Sequence, residues 1–228
     1  AQRPAAPVPS PDGRWIAFAL PQPDYDHEKR SGDLWLVPAD GGAPPRRLTA
    51  TRDPEGAVAW SPDSTRIAFT AKREGDTERQ VYVLDLAAGG DAQRVTDLVA
   101  GANHPVWRPD GRALLVSTPT LPGVTDEASQ RVAVEQRKAR KHSARAYDEF
   151  PLRYWDRWLD DRRPMPVVQP LDGGAPRYLL GGTQLFAGRG FGGVLENEGE
   201  SLQAAWTPDG TSVVFVATDH RHEGARSE

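Results

Sequence analysis

The chain has no cysteine and only one methionine. Without cysteine there is no disulfide framework, no thiolate metal site and no nucleophilic thiol. No apolar run approaches the roughly 20 residues that cross a bilayer as a helix, so no membrane partner is expected. Neither sign of charge dominates: 28 Lys and Arg stand against 32 Asp and Glu, a formal net charge of −4. That balance is too mild to make nucleic acid or an anionic membrane surface the main partner. The first residues, Ala1-Gln2, include no Met and no apolar signal core. They read as a mature exported chain after signal removal or as a trimmed one, which favours a periplasmic or secreted setting over a cytoplasmic one. What is abundant is turn-forming residues, 22 Gly and 21 Pro. They fall mostly between short apolar runs, the pattern of many strands joined by frequent turns.

Those turns repeat. Trp60-Ser61-Pro62-Asp63 returns as Trp107-Arg108-Pro109-Asp110-Gly111 and as Trp206-Thr207-Pro208-Asp209-Gly210, with a weaker copy at Ser10-Pro11-Asp12-Gly13. Each copy leads into an apolar run such as Ile67-Ala68-Phe69 or Val213-Val214-Phe215-Val216. Pro presets φ, Asp bonds back to the local backbone, and Gly takes a positive φ where the strands reconnect. Ser64 replaces that Gly in the second copy, so the second turn is expected to differ slightly. Four copies in one register form an internal repeat.

Within a repeat the order is strand, Pro-Asp turn, strand, polar loop, strand, Gly-Gly turn and short outer strand. Four antiparallel strands per unit make the blade of a β-propeller. The expected fold is therefore all-β, an incomplete propeller with a partly helical insertion in its third blade. Blade 1 is expected over about 4–49, with Pro21–Gly32 as a polar connection and 46–49 as the outer strand. Blade 2 is expected over about 57–96, with Lys72–Arg79 as its polar loop, and blade 3 over about 104–180 with the insertion at 120–164. A partial blade 4 is expected over about 203–228, the sequence stopping in the middle of that blade. Trp60, Trp107 and Trp206 share one register and are read as core between blades.

The insertion has two halves. Glu127–Ala146 reads as a basic helix with sparse, small apolar residues, and its Arg137-Lys138-Ala139-Arg140-Lys141 run as a solvated face. Then Tyr147-Asp148-Glu149-Phe150-Pro151-Leu152-Arg153-Tyr154-Trp155-Asp156-Arg157-Trp158 packs five aromatics into twelve residues. Asp148, Glu149, Tyr154, Trp155 and Trp158 are the candidate site. Carboxylates beside aromatics hold a cationic amine by charge pairing and cation–π attraction. The competing reading is a loop pinned to the propeller by its aromatics, and the residues alone leave both open.

Other chemical signals are weaker. Gly188-Arg189-Gly190-Phe191-Gly192-Gly193 has dinucleotide-loop spacing, but a strand rather than a helix is expected after it, so it reads as a connecting loop. Gly199-Glu200-Ser201-Leu202-Gln203 lacks the second Gly and the strand–turn–helix context of a nucleophile elbow. His220-Arg221-His222-Glu223 offers metal ligands in a polar loop without a fourth partner. No cofactor and no metal is expected, and no catalytic residue within the chain.

The Trp-Ser-Pro-Asp-Gly repeats resemble those shared by TolB-type propellers and the propellers of prolyl oligopeptidase-family serine peptidases. Tyr147-Asp148-Glu149 with Arg153-Tyr154-Trp155-Asp156-Arg157-Trp158 resembles bacterial dipeptidyl-peptidases and acylaminoacyl-peptidases of that family. The resemblance implies a propeller capping an α/β-hydrolase domain with a Ser-Asp-His triad, which these residues do not contain. It also implies that Tyr147-Asp148-Glu149, similar to a Tyr-Glu-Glu segment, receives the free amino terminus of a peptide substrate. The implied partners are that peptide, the remainder of the propeller and the hydrolase domain. The alternative is a non-catalytic TolB-type binding propeller.

Overall fold

A computed structural model describes residues 4–24, 29–51, 53–140, 153–154, 157–158, 161–196 and 199–221. The Pro-Asp turns set its frame. In each, the residue before Pro accepts a backbone hydrogen bond across the turn: Gly13 to Ser10, Ser64 to Ser61, Gly111 to Arg108 and Gly210 to Thr207, at 2.8–2.9 Å. Each Asp carboxylate then accepts the amide two residues on, from Arg14, Thr65, Arg112 and Thr211 at 3.0–3.1 Å. The turn expected to differ does not. Ser64 adopts φ 61°, beside 71°, 69° and 67° at Gly13, Gly111 and Gly210. A Ser pays some strain in that left-handed conformation, and its hydroxyl accepts the Asp12 amide of the neighbouring turn at 3.1 Å.

From these turns grow three four-stranded antiparallel blades, each with its strands in sequence order. Blade 1 holds β1 (Ala5–Pro9), β2 (Trp15–Asp24), β3 (Lys29–Pro38) and β4 (Arg46–Arg47). Blade 2 holds β5 (Gly56–Trp60), β6 (Arg66–Ala71), β7 (Gln80–Asp85) and β8 (Gln93–Arg94). Blade 3 begins with β9 (Asn103–Trp107) and β10 (Ala113–Thr120). The insertion then carries helix α1 (Glu127–Ala139) and the two-residue strands β11 (Arg153–Tyr154) and β12 (Arg157–Trp158). β13 (Arg163–Pro170) and β14 (Arg177–Tyr178) complete the blade. Helix α2 (Gln184–Ala187) and the ribbon of β15 (Val194–Glu196) with β16 (Gly199–Ser201) lead to β17 (Gln203–Trp206) and β18 (Val213–Val216), a two-stranded sheet in the register of the other blades.

Several expectations change at this level. Pro21–Gly32 is not a connection: β2 and β3 pair continuously from Trp15 opposite Pro38 to Asp24 opposite Lys29, forming a long ribbon. The helix of the insertion ends at Ala139, not Ala146, because Arg140 turns to an extended φ,ψ of −65°, 121°; residues 141–146 lie outside the described residues. The outer strands are two residues long rather than four. Threonine explains this in blades 1 and 2: the Leu34 amide bonds the Thr49 hydroxyl at 2.9 Å, and the Val81 amide bonds that of Thr96 at 2.8 Å. The side chain takes over where the ladder would have continued. In blade 3 the corresponding strand residue is Pro166, which has no amide to give, and Leu180 stands where the threonines stand.

The core lies between blades. Ala17, Leu34, Leu36, Trp60, Ile67 and Phe69 form one cluster at the first junction. Ala68, Trp107, Leu114, Val116, Met165 and Val167 belong to another at the second. Leu115 and Val168 meet Ala204, Trp206 and Val213 at the third. Trp60 and Trp107 are buried and Trp206 is half-buried. The indole nitrogens donate to carbonyls of the preceding blade, Trp60 to Val8 at 3.0 Å, Trp107 to Ala59 at 3.1 Å and Trp206 to Val106 at 3.3 Å.

Candidate functional site

The feet of the insertion are the adjacent strands β10 and β13. They pair without a slip from Ala113 opposite Pro170 to Thr120 opposite Arg163, so the chain leaves and returns at one point. Beyond Thr120 the path is fixed by helix α1. Its N-cap, Asp126, accepts the Ser129 amide at 2.7 Å while Ser129 reaches back to the Asp126 amide at 3.1 Å, the reciprocal box that satisfies two end amides. Gln130 is fully buried; its amide nitrogen donates to the Pro119 carbonyl at 3.1 Å and its oxygen accepts the Leu121 amide at 3.2 Å.

Glu127 bolts this helix to two neighbours. One carboxylate oxygen accepts the Val99 amide at 2.9 Å, and the other accepts the Tyr178 hydroxyl at 2.7 Å. Burial, and then this bond to Glu127, hold the Tyr178 hydroxyl far above the ordinary tyrosine range. Arg131 pairs with Glu127 at 2.9 Å and with Asp97 at 3.1 Å. At the other end of α1, Arg137 pairs with Asp161 at 2.6 Å, which ties the helix to the chain entering β13. Lys138 lies 3.6 Å from Glu135 on an exposed face, as expected for the basic run.

Of the candidate residues, Asp148, Glu149 and Trp155 lie outside the described residues. Tyr154 and Trp158 fall on the β11–β12 ribbon, where Tyr154 opposes Arg157 and Arg153 opposes Trp158 in backbone register.

The glycine-rich run has a structural cause. None of Gly188, Gly190, Gly192 or Gly193 has a positive φ. A side chain at Gly190 would collide with the Asp219 carbonyl, and one at Gly193 with the Ser201 carbonyl. The run is preceded by α2 and followed by β15, and buried Arg163 donates to the carbonyls of Phe186 at 2.8 Å, of Gly188 and of Arg189 at 3.2 Å. It is a loop packed backbone to backbone.

Beside it, Arg221 and Glu200 form a buried pair at 2.7 Å with side chains 5% and 8% exposed. Glu200 also accepts the Gly193 amide at 2.9 Å, and Arg221 donates to the Arg162 carbonyl at 3.0 Å. Such a pair costs desolvation that good geometry offsets, and removing one partner is strongly destabilising. Arg221 is therefore a bolt within the loop once read for metal ligands. His220 is exposed and 3.3 Å from Asp219, while His222 and Glu223 lie outside the described residues. Among the described residues no group of three His, Asp or Glu is placed to hold a metal ion. Ser201 is buried at the end of β16 and lines a mostly apolar cavity of about 230 Å³ with His104, Leu115, Ser117, Leu202 and Gln203. β16 runs into β17, not into a helix.

A second polar cluster escaped the sequence reading. Glu55, in the connection between blades 1 and 2, has a fully buried side chain and pairs with Arg73 at 3.2 Å. Burial raises its carboxyl above the ordinary glutamate range, against bonds from Thr49 and Arg73 that lower it. The Arg73 guanidinium lies 4.5 Å from the Tyr82 ring centroid. The Tyr82 hydroxyl donates to Asp76 at 2.7 Å and is pushed up to about 12, by burial first and Asp76 second. Arg94 completes the chain on Asp76 at 2.8 Å. Glu55, Arg73 and Asp76 sit in stretches that read as plain polar connections, Tyr82 and Arg94 lie on β7 and β8, and no spacing marks them as partners. They order the same end of blade 2 from which, in blade 3, the insertion leaves.

No family model matches the chain. It is 25% identical over 210 residues to Dipeptidyl-peptidase 5 of Porphyromonas endodontalis, covering 91% of this chain and 28% of that protein. It is 32% identical over 112 residues to an uncharacterized peptidase, YuxL, of Bacillus subtilis, covering 49% of this chain and 16% of that one. The chain is similar to peptidases. Among solved structures, an acylaminoacyl peptidase of Pyrococcus horikoshii superposes with a TM-score of 0.55 at 16% identity, over 76% of this chain and 24% of that one. TolB of Acinetobacter baumannii superposes with a TM-score of 0.50 at 16% identity, over 93% and 42%. These structures show the propeller-type fold, and the peptidase names agree with the prolyl oligopeptidase-family resemblance. The chain spans about a quarter of the length of Dipeptidyl-peptidase 5 (28%).

Proposed function

We propose that the chain is the N-terminal propeller part of a serine exopeptidase of the prolyl oligopeptidase type, with the catalytic α/β-hydrolase domain outside residues 1–228. The observation that carries this reading is the similarity of 91% of the chain to Dipeptidyl-peptidase 5. In it, the propeller gates the approach of peptides, and the insertion receives the peptide's amino terminus. The ammonium would pair with Glu149, assisted by Asp148, among the aromatics Tyr154, Trp155 and Trp158. The braced feet of the insertion suit that task, since a recognition element needs its support held by packing and hydrogen bonds. The intact enzyme would cleave by an acyl-enzyme route, in which an activated Ser attacks the peptide carbonyl and His carries the proton to the leaving amine.

The test compares residues 1–228 with the longer polypeptide, using dipeptidyl substrates and a fluorophosphonate that labels activated serines. The longer polypeptide should hydrolyse the substrates and take the label, and residues 1–228 should do neither. Turnover by residues 1–228 would contradict a catalytic domain elsewhere. A longer polypeptide with neither activity nor label would favour a TolB-type binding propeller.

A further inference from the structure

The first strands of blades 1, 2 and 3 share a bulge in which two residues oppose one. The register slips between Ala5 and Val8, between Gly56 and Ala59, and between Asn103 and Val106. Ala57 and His104 take the matching position in blades 2 and 3, at φ 48° and 52°. Alanine suffices there in blade 2, so the left-handed conformation belongs to the bulge and the imidazole is an addition to it. Bulges re-aim side chains next to rims and sites, and His104 lines the cavity between blades 3 and 4. The strand entering blade 4 has no such bulge: β17 pairs without a slip from Gln203 opposite Val216 to Trp206 opposite Val213. The cavity lies at that junction. Leu115, Pro166 and Leu202 are among its walls, and among the described residues no Asp, Glu, Lys or Arg lines it. Its polar side chains are Ser117 and Ser201 within, and exposed His104 and Gln203 at the mouth.

We propose that this cavity is a binding site for a bulky, uncharged apolar side chain of a peptide, aromatic or branched aliphatic. An apolar cavity of about 150 Å³ holds a benzene molecule, so about 230 Å³ has room for a phenylalanyl side chain. A charged side chain would lose its water there without gaining a charged partner. The peptide's own amide and carbonyl groups meet Gln203 and His104 at the mouth, side chains that both donate and accept. The wall also gives the site its place. Ser117 opposes Pro166 on the same unbroken ladder that ends at Thr120 and Arg163, where the insertion leaves the blade. On the reading that the insertion receives a peptide's amino terminus, on which this assignment rests, the side chain is that of the amino-terminal residue.

Two measurements on the longer polypeptide separate the cavity from the peptidase reading. The first is the ratio of kcat/KM for two dipeptidyl substrates that differ only in an amino-terminal Phe or Gly. A ratio taken within one protein does not depend on how much of it is folded. In the native protein Phe should be favoured at least about tenfold, the effect of burying one large apolar side chain. The preference should be lost in Ser117→Leu, which fills the cavity from blade 3, and in Ala204→Leu, which fills it from blade 4. The second measurement needs no turnover: the rate at which diethyl pyrocarbonate modifies His104, mapped by mass spectrometry. N-acetylphenylalaninamide, well above its Kd, should slow that rate about threefold or more in the native protein and leave it unchanged in both variants. N-acetylglycinamide should not slow it at all. An unprotected His104, or a preference that is absent or survives both variants, would overturn the inference, while hydrolysis itself would still uphold the peptidase reading. Protection of His104 without hydrolysis of any dipeptidyl substrate would uphold the cavity and overturn the peptidase reading. Protection by toluene but not by N-acetylphenylalaninamide would overturn the inference and assign the cavity to a free apolar molecule.

Discussion

At Asp63 a carboxylate accepts from the Ser61 hydroxyl at 2.6 Å and from the Thr65 amide and hydroxyl at 3.1 and 2.8 Å. These bonds hold it at about 2, with the Ser61 hydroxyl the largest cause; Asp12 and Asp110 stand at the same value, and Asp209 is lowered as well. The folded state therefore binds these protons less tightly than the unfolded chain. Their contribution to stability is present above the unfolded value of 3.8 and is lost as pH falls toward 2. Asp63→Asn should flatten the fall of the melting temperature between those pH values, and an unchanged pH profile would remove Asp63 from the acid response. Trp107 is the other residue whose environment gives a magnitude. It is buried at the junction of blades 2 and 3, under the Arg66 guanidinium at 4.6 Å. Trp107→Ala should cost about 3–5 kcal/mol, the loss of a large buried aromatic, measured by denaturant unfolding. An unchanged midpoint would take it out of the core.

At the scale of elements, the repeat was legible in sequence because its turn is made of residues with separate physical jobs. Pro, Asp and Gly cannot be exchanged without changing the turn, so their spacing carries the blade pattern. The ends of the strands were not legible, because side chains settle them. Thr49 and Thr96 end the outer strands by accepting an amide that the ladder would otherwise hold. Thr96→Val should leave the Val81 amide unsatisfied in a buried site and cost about 1–3 kcal/mol. Leu180→Val, at the matching position of blade 3 beside Pro166, has no amide to orphan and serves as the comparison for packing alone. The β2–β3 ribbon was missed because its polar residues read as a loop, whereas continuous pairing carries the strands through them. Glu127 reads only as the start of a basic helix, yet its bonds to Val99 and Tyr178 are contacts between distant parts of the chain that no spacing encodes.

At the scale of the whole molecule, the sequence marked the aromatic and acidic segment by composition, since five aromatics in twelve residues need a reason. What it did not carry is the support: the Arg137–Asp161 tie, the buried Gln130 and the continuous β10–β13 pairing that bring both feet of the insertion together. The proposed role of this insertion is to receive a peptide's amino terminus through Glu149. It is tested most directly by kcat/KM of the full-length polypeptide for a substrate with a free amino terminus and for its N-acetylated form, in the native protein and in Glu149→Gln. The expected result is a loss of about 1.5–3 kcal/mol on the free substrate, that of a hydrogen bond to a charged group, and almost none on the acetylated one, which already lacks the ammonium. Equal losses on both substrates, or no loss on either, would contradict it and leave the insertion's aromatics as pins that hold a loop.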